Sequence, residues 1–363
     1  MRILIPTGHL GTAPFRLDSF RRGMETRPDV VIADAGSSDP GPVFLGADTA
    51  LGFFEEEDLE NLLVASRKIG APLLIGSAGD SGANTRVDKF VGIIQRLAEK
   101  HRIPKFRLGY FYSDVSKEYL KRKLQAGAVI EGLGGFPPLS ESVVERTSRI
   151  VGVAGIHPYI KLLDAGADVI IGGRSGDIAM AAAPAIRAGY PAGLAYHMGK
   201  MLECASLCAE PFMGKETVIG TLSDEDIKLT PYHPDQRCTI ASAGSHSMYE
   251  RETPFFEYAV GGMLDLQACK FEQFDARTCR ITGAKWIPSE KIMVKLEGSA
   301  RVGERYIGLA GIRDPYLVQH VEDILQWCRT SVAEKFGKEN YQLYFHVFGK
   351  NGVLKELEPV KQT

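Results

Sequence analysis

Over its first ~215 residues the chain repeats one pattern. A short, continuously apolar, β-branched run ends in a cluster of Gly, Ser and Asp, and a segment with helical spacing follows. The runs are ILI at 3–5, VVI at 30–32, PLLI at 72–75, FRLGYFY at 106–112, AVI at 128–130 and DVII at 168–171. Short apolar runs that do not alternate are what a parallel sheet covered on both faces demands. Between them, residues 59–68 place Leu59, Leu62, Leu63 and Ser66 at i, i+3, i+4 and i+7, with cationic residues at the end suited to a helix C-terminus. Residues 88–100, 116–124 and 178–188 read as helices in the same way. Strand alternating with helix predicts an α/β domain over residues 1–215, doubly wound and mainly parallel.

From about residue 216 the pattern changes. Residues 279–286, 291–297 and 306–310 read as antiparallel strands, followed by a long amphipathic helix at 315–334 and a last strand at 342–348. This predicts a smaller α+β domain over 216–363. No internal repeat of fixed period and no low-complexity segment interrupts the two regions.

Composition narrows the class. Hydrophobic residues make up 44% and charged residues 24% of 363 residues, with a net charge of −2. Without a basic arm or an acidic tail, neither nucleic acid nor a membrane surface is an expected partner. No apolar stretch approaches the ~18 residues of a membrane span. The opening MRILIPTGHLGT reads as a first strand and turn rather than a signal peptide, so a cytoplasmic location is expected. The six cysteines lie in the second half and include no CxxC pair. Cys204 and Cys208 fall four apart on one predicted helix face, which supplies only two ligands, so they read as buried thiols rather than a structural zinc site.

In an open parallel sheet, ligands bind beyond the carboxyl ends of the strands, where every glycine-rich cluster falls. Neither the dinucleotide fingerprint nor a GxxxxGK[ST] loop is complete, and GxSxG and HExxH are absent. In the segment GSAGDSGA at 76–83, Ser77, Gly79 and Asp80 offer donors and close backbone approach to an anion; a plain tight turn is the alternative. In ADAGSSDPGP at 33–42, Asp34 and Asp39, with Ser37 between them, could move a proton, bind a substrate hydroxyl or hold a divalent metal. An Asx turn with a helix cap is the bland reading there. In GGRSGD at 172–177, Arg174 presents a planar fork for a carboxylate or phosphate, unless Arg174 and Asp177 form a structural ion pair. The predicted helix at 194–209 carries His197, Lys200, Glu203 and Cys204 close together, an acid–base group if His197 is not simply packed. His246, Tyr249 and Arg251 form a looser group that could edge the same cleft.

At these motifs the chain resembles the acyclic terpene utilisation (AtuA) family. The resemblance rests on DVVIADAGSSDPGPVFLG, APLLIGSAGDSGA, DAGADVIIGGRSGD, LAYHMGKMLECASLCAEP, LTPYHPDQRCTIASAGSHSMYER and VKLEGSARVGERYIGLAGIRDP, spread in order from about residue 29 to 315. It departs at Ser175-Gly176, where the family pattern has a bulkier pair that includes a cysteine. The resemblance implies work on branched or dicarboxylic acids and their coenzyme A thioesters, often beside a small partner protein. The function expected is therefore an enzyme of carboxylic-acid catabolism: an acid–base lyase, hydratase or isomerase acting on a small hydroxy- or unsaturated carboxylic acid or its thioester. Asp34, Asp39, His197, Lys200 and Glu203 would do the chemistry. Ser37, Ser77, Gly79, Asp80, Arg174, Asp177, His246 and Tyr249 would hold the substrate. The sequence requires no cofactor. A homo-oligomer is expected, the ordinary state of such enzymes. A non-catalytic binding subunit working with a small partner is the alternative, and a hydrolase the third choice.

Overall fold

A computed structural model describes residues 1–36, 41–47, 52–251 and 253–357. The chain divides into two compact units, Met1–Arg301 and Val302–Thr363.

The first unit is built on a nine-stranded sheet. Its strands, numbered along the chain with those of the smaller sheets, are β1 (Arg2–Ile5), β2 (Val30–Gly36), β3 (Leu73–Asp80), β4 (Leu108–Tyr110), β5 (Arg149–Gly152), β6 (Val169–Ile171), β7 (Val218–Leu222), β8 (Ile227–Pro231), β9 (Phe256–Ala259), β10 (Gly262–Asp265), β11 (Lys270–Gln273), β12 (Cys279–Thr282), β13 (Lys285–Pro288) and β14 (Leu296–Ser299). The large sheet has the order β11-β12-β8-β7-β1-β2-β3-β6-β4. From β1 to β4 every pairing is parallel, and from β1 to β11 every pairing is antiparallel.

The continuous apolar runs do what the pattern requires. Side chains alternate across a strand, so each run feeds two cores. Ile3, Ile5, Ile32, Leu74 and Ile170 pack with the helices His157–Asp164, Ala179–Arg187 and Ala192–Leu202. Leu4, Val31, Leu73, Ile75, Val169 and Ile171 pack with Leu17–Glu25, Glu55–Ile69 and Asn84–Lys100 on the other face. The protein is an α/β fold with helices on both faces of a large, substantially parallel sheet.

The change near residue 216 is a change of strand direction. β7 pairs with β1 from Arg2–Thr221 to Ile5–Val218, so the sheet runs on across the boundary expected at 215. Residues 128–130 form no strand, and Val129 is exposed. β14 pairs with β5 rather than with 306–310, which form no strand. In the second unit, the helix expected at 315–334 is broken at His320 into Pro315–Gln319 and Val321–Phe336, and 342–348 makes no strand.

Candidate functional site

The carboxyl ends of β2, β3 and β6 lie side by side and are bonded to one another. Asp34, near the end of β2, is buried, and its Oδ1 accepts the Gly36 N–H at 3.1 Å. Ser77 Oγ accepts from Arg174 Nη1 at 3.2 Å and from the Ser175 N–H at 3.3 Å. Ser175 Oγ in turn lies 2.8 Å from the Tyr159 hydroxyl. Gly82 has φ +60°, and a Cβ there would stand 2.1 Å from the Arg174 nitrogen, so only glycine lets the two loops meet. Much of the smallness of these loops therefore serves contact between loops.

Arg174 is 4% exposed. Its fork meets Glu297 of β14, Nε to Oε2 at 2.8 Å and Nη2 to Oε1 at 3.3 Å, while Nη1 lies 3.8 Å from Asp177. The fork is thus spent within the protein. Burial opposes its charge, but Glu297, Asp177 and Asp34 raise its pKa, so the cation is firmly held. Burial likewise opposes the Glu297 carboxylate, but Arg174 and Lys295 keep its pKa below the ordinary value.

The helix Ala192–Leu202 is apolar on nearly every side, as a fully buried helix must be. Gly199 touches the backbone of Ile178, where a Cβ would lie 2.4 Å from the carbonyl oxygen. Deep seating of this helix buries Lys200, which forms an ion pair with Glu203 just past the helix end. The helix Ile240–Met248 starts with a capping box, in which Ser242 N–H donates to Thr239 Oγ1 at 3.0 Å and Thr239 N–H to Ser242 Oγ at 2.9 Å. This brings His246 against the first helix, with Nε2 3.1 Å from the Lys200 carbonyl oxygen. Tyr249, 41% exposed, stacks on His246 with ring centroids 5.9 Å apart, and its ring centroid lies 5.6 Å from Lys200 Nζ.

These elements bring carboxylates and cations into one another's fields. Burial first, then the charge of Asp177, raises Asp34 well above the ordinary carboxyl range. Burial also raises Asp177, against the pull of Arg174, Lys295 and Lys200. Glu203 is pushed up to about 8 by burial, against the neighbouring Lys200 and with the help of Asp177 and Glu257. For Lys200, burial opposes the charge, but Glu203 and Glu257 outweigh it and raise the pKa. Arg251 Nη2 lies 2.6 Å from Glu257 Oε2, while the buried Nε and Nη1 of Arg251 have no hydrogen-bond partner.

Asp34, Arg174, Asp177, Lys200 and Glu203 are therefore brought together, with His246 and Tyr249 beside Lys200. His197 stands apart. Its Nε2 lies 3.0 Å from Ser247 Oγ and its Nδ1 3.8 Å from Cys269 Sγ, so it packs in the core instead of offering a free nitrogen. Ser77 is occupied by the next loop, and Gly79, at φ +59°, is covered by Arg86. Asp80 meets His9 Nε2 at 3.3 Å. Ser37 and Asp39, and with Asp39 the metal considered at Asp34 and Asp39, lie outside the described residues. Glu257 and Glu297 were not singled out by sequence reasoning; each is an acidic residue set in a short strand of the smaller sheets.

No helix among the described residues is long and apolar enough to cross a membrane. A family profile described as acyclic terpene utilisation family protein AtuA matches residues 54–363. Neither a curated protein nor a solved structure matches the chain. With the profile running over most of its length, the chain belongs to the acyclic terpene utilisation (AtuA) family.

Proposed function

We propose that the protein serves acyclic terpene utilisation as an acid–base enzyme: a lyase, hydratase or isomerase on a small hydroxy- or unsaturated carboxylic acid or its coenzyme A thioester. Such a reaction moves a proton at the carbon beside the carboxyl or thioester carbonyl. It needs one carboxyl that holds a proton near neutral pH and a second group to exchange with it. The observation that carries this reading is the pair Asp34 and Asp177, presented from the ends of β2 and β6 into one another's field. Asp177 Oδ1 is sealed from solvent and has no hydrogen-bond partner, although the side chain as a whole is half-buried. Arg174, locked by Glu297, positions Asp177. Arg251 is the better anchor for a substrate carboxylate, because two of its nitrogens are unpartnered.

Exchange of the proton beside the carbonyl tests this directly. A panel of short hydroxy and unsaturated acids and their thioesters is incubated with the protein in D2O and followed by NMR. At least one member should exchange, and Asp34→Asn and Asp177→Asn should each slow it about 10²–10⁴-fold with unchanged circular dichroism. Exchange no faster than without protein across the panel, or full exchange in Asp34→Asn, would refute the reading.

A further inference from the structure

One arrangement beside the acid pair has a different chemistry. Glu203, Cys204 and His246 place a carboxylate oxygen, a thiol sulfur and a ring nitrogen all within 4.8 Å of one another. His246 is 2% exposed, and its Nδ1 is sealed from solvent without a hydrogen-bond partner. Its Nε2 faces the Lys200 carbonyl oxygen at 3.1 Å and must carry the proton to bond it, so Nδ1 keeps an unused lone pair. Lys200 also holds Glu203 through its ammonium. One residue thus orients two of the three donors, the carbonyl through the ring and the ammonium through the carboxylate, as outer partners of metal ligands do.

We propose that Glu203, Cys204 and His246 bind a divalent transition metal of the zinc class. A mixed nitrogen, sulfur and oxygen set suits that class, whereas magnesium and calcium prefer oxygen alone. At metal–ligand lengths of about 2.0–2.3 Å, tetrahedral donors stand roughly 3.3–3.8 Å apart, so contraction by about an ångström closes the set. On binding, Cys204 forms the metal–sulfur bond and its proton leaves to solvent. Three protein ligands leave a fourth position for water or a substrate oxygen. Cys204 is only half-buried, which gives the ion a way in. The inference does not depend on the acid–base reading, and its test does not use turnover.

The full chain, stripped with chelator, is dialysed against Zn2+ and separately titrated with Co2+. One tightly held zinc per chain is expected, together with a thiolate-to-cobalt charge-transfer band. Cys204→Ser should abolish the band, and His246→Asn should lose the zinc while circular dichroism stays native. Should His246→Asn fail to fold, Cys204→Ser and Glu203→Gln carry the test alone. A wild-type chain that holds no more zinc than Cys204→Ser, or a band that survives in Cys204→Ser, would overturn the proposal.

Discussion

Arg174 sits among Glu297, Asp177 and Ser77 with almost no access to water, and a cation so placed depends on its partners. Removing Glu297 leaves the half-buried Asp177 as the fork's remaining close carboxylate, beside the neutral Ser77 hydroxyl. Glu297→Ala should therefore cost about 3–5 kcal/mol, the usual penalty for breaking a buried pair from one side. The double variant Arg174→Met, Glu297→Leu removes both charges and should recover most of that loss, as apolar replacements of buried pairs often do. The exposed pair Arg96–Glu56 is the control, since breaking it should change stability by less than about 1 kcal/mol. Urea unfolding of the three variants measures all of this; equal losses at both pairs would show that Arg174 is not electrostatically held. Asp177 was visible as a partner in the sequence because it lies three residues on. Glu297 was not, because 123 residues separate it from Arg174 and only the β5–β14 pairing brings it near.

β1, β2, β3 and β6 were legible because burial on both faces leaves an uninterrupted apolar run, and the helices between them because one face of each is apolar; β5, in its own two-stranded sheet with β14, carries no such run and was not read as a strand. What the strand-end glycines were for was less legible, since a tight turn, a ligand and a close neighbour all select the same residue. Gly82, set against Gly70 at the C-terminal end of the helix Glu55–Ile69, separates these causes. Both have positive φ, but a Cβ at Gly70 meets nothing within 4 Å, whereas one at Gly82 collides with the backbone of Arg174. Gly70→Ala should cost only the left-handed strain, about 1–2 kcal/mol. Gly82→Ala should cost clearly more and displace the loop that carries Arg174 and Asp177. Denaturant midpoints at matched slopes test this, and a Gly82→Ala variant as stable as Gly70→Ala would mean the loops do not need to touch. The direction of the strands after residue 216 was legible, but their attachment to β1 was not, because short alternating strands read alike at the edge of one sheet or in a new one.

At the scale of the molecule, the consequence of so many buried titratable groups is a pH-dependent stability in which terms of opposite sign compete. Carboxyls whose pKa is raised on folding, such as Asp34 and Asp177, favour the fold as pH falls. His197 acts the other way. Burial, then Arg251, His246 and Lys200, hold its pKa down to about 3, against 6.5 for the free side chain. The unfolded chain therefore takes up a proton at His197 below about pH 6.5 that the folded chain refuses, and stability is lost from there down to about pH 3. The slope for this one residue is about 1.4 kcal/mol per pH unit. Net unfolding curves would hide it beneath the carboxyls, so the readable quantity is the difference in unfolding free energy between the wild type and His197→Gln. That difference should be flat above about pH 7 and fall with this slope from about pH 6 to 4, because glutamine keeps a polar group near Ser247 but does not titrate. A difference that stays constant through this range would mean that His197 is protonated in the folded protein, and with it would go the assignment of this ring to the core rather than to the acid–base group.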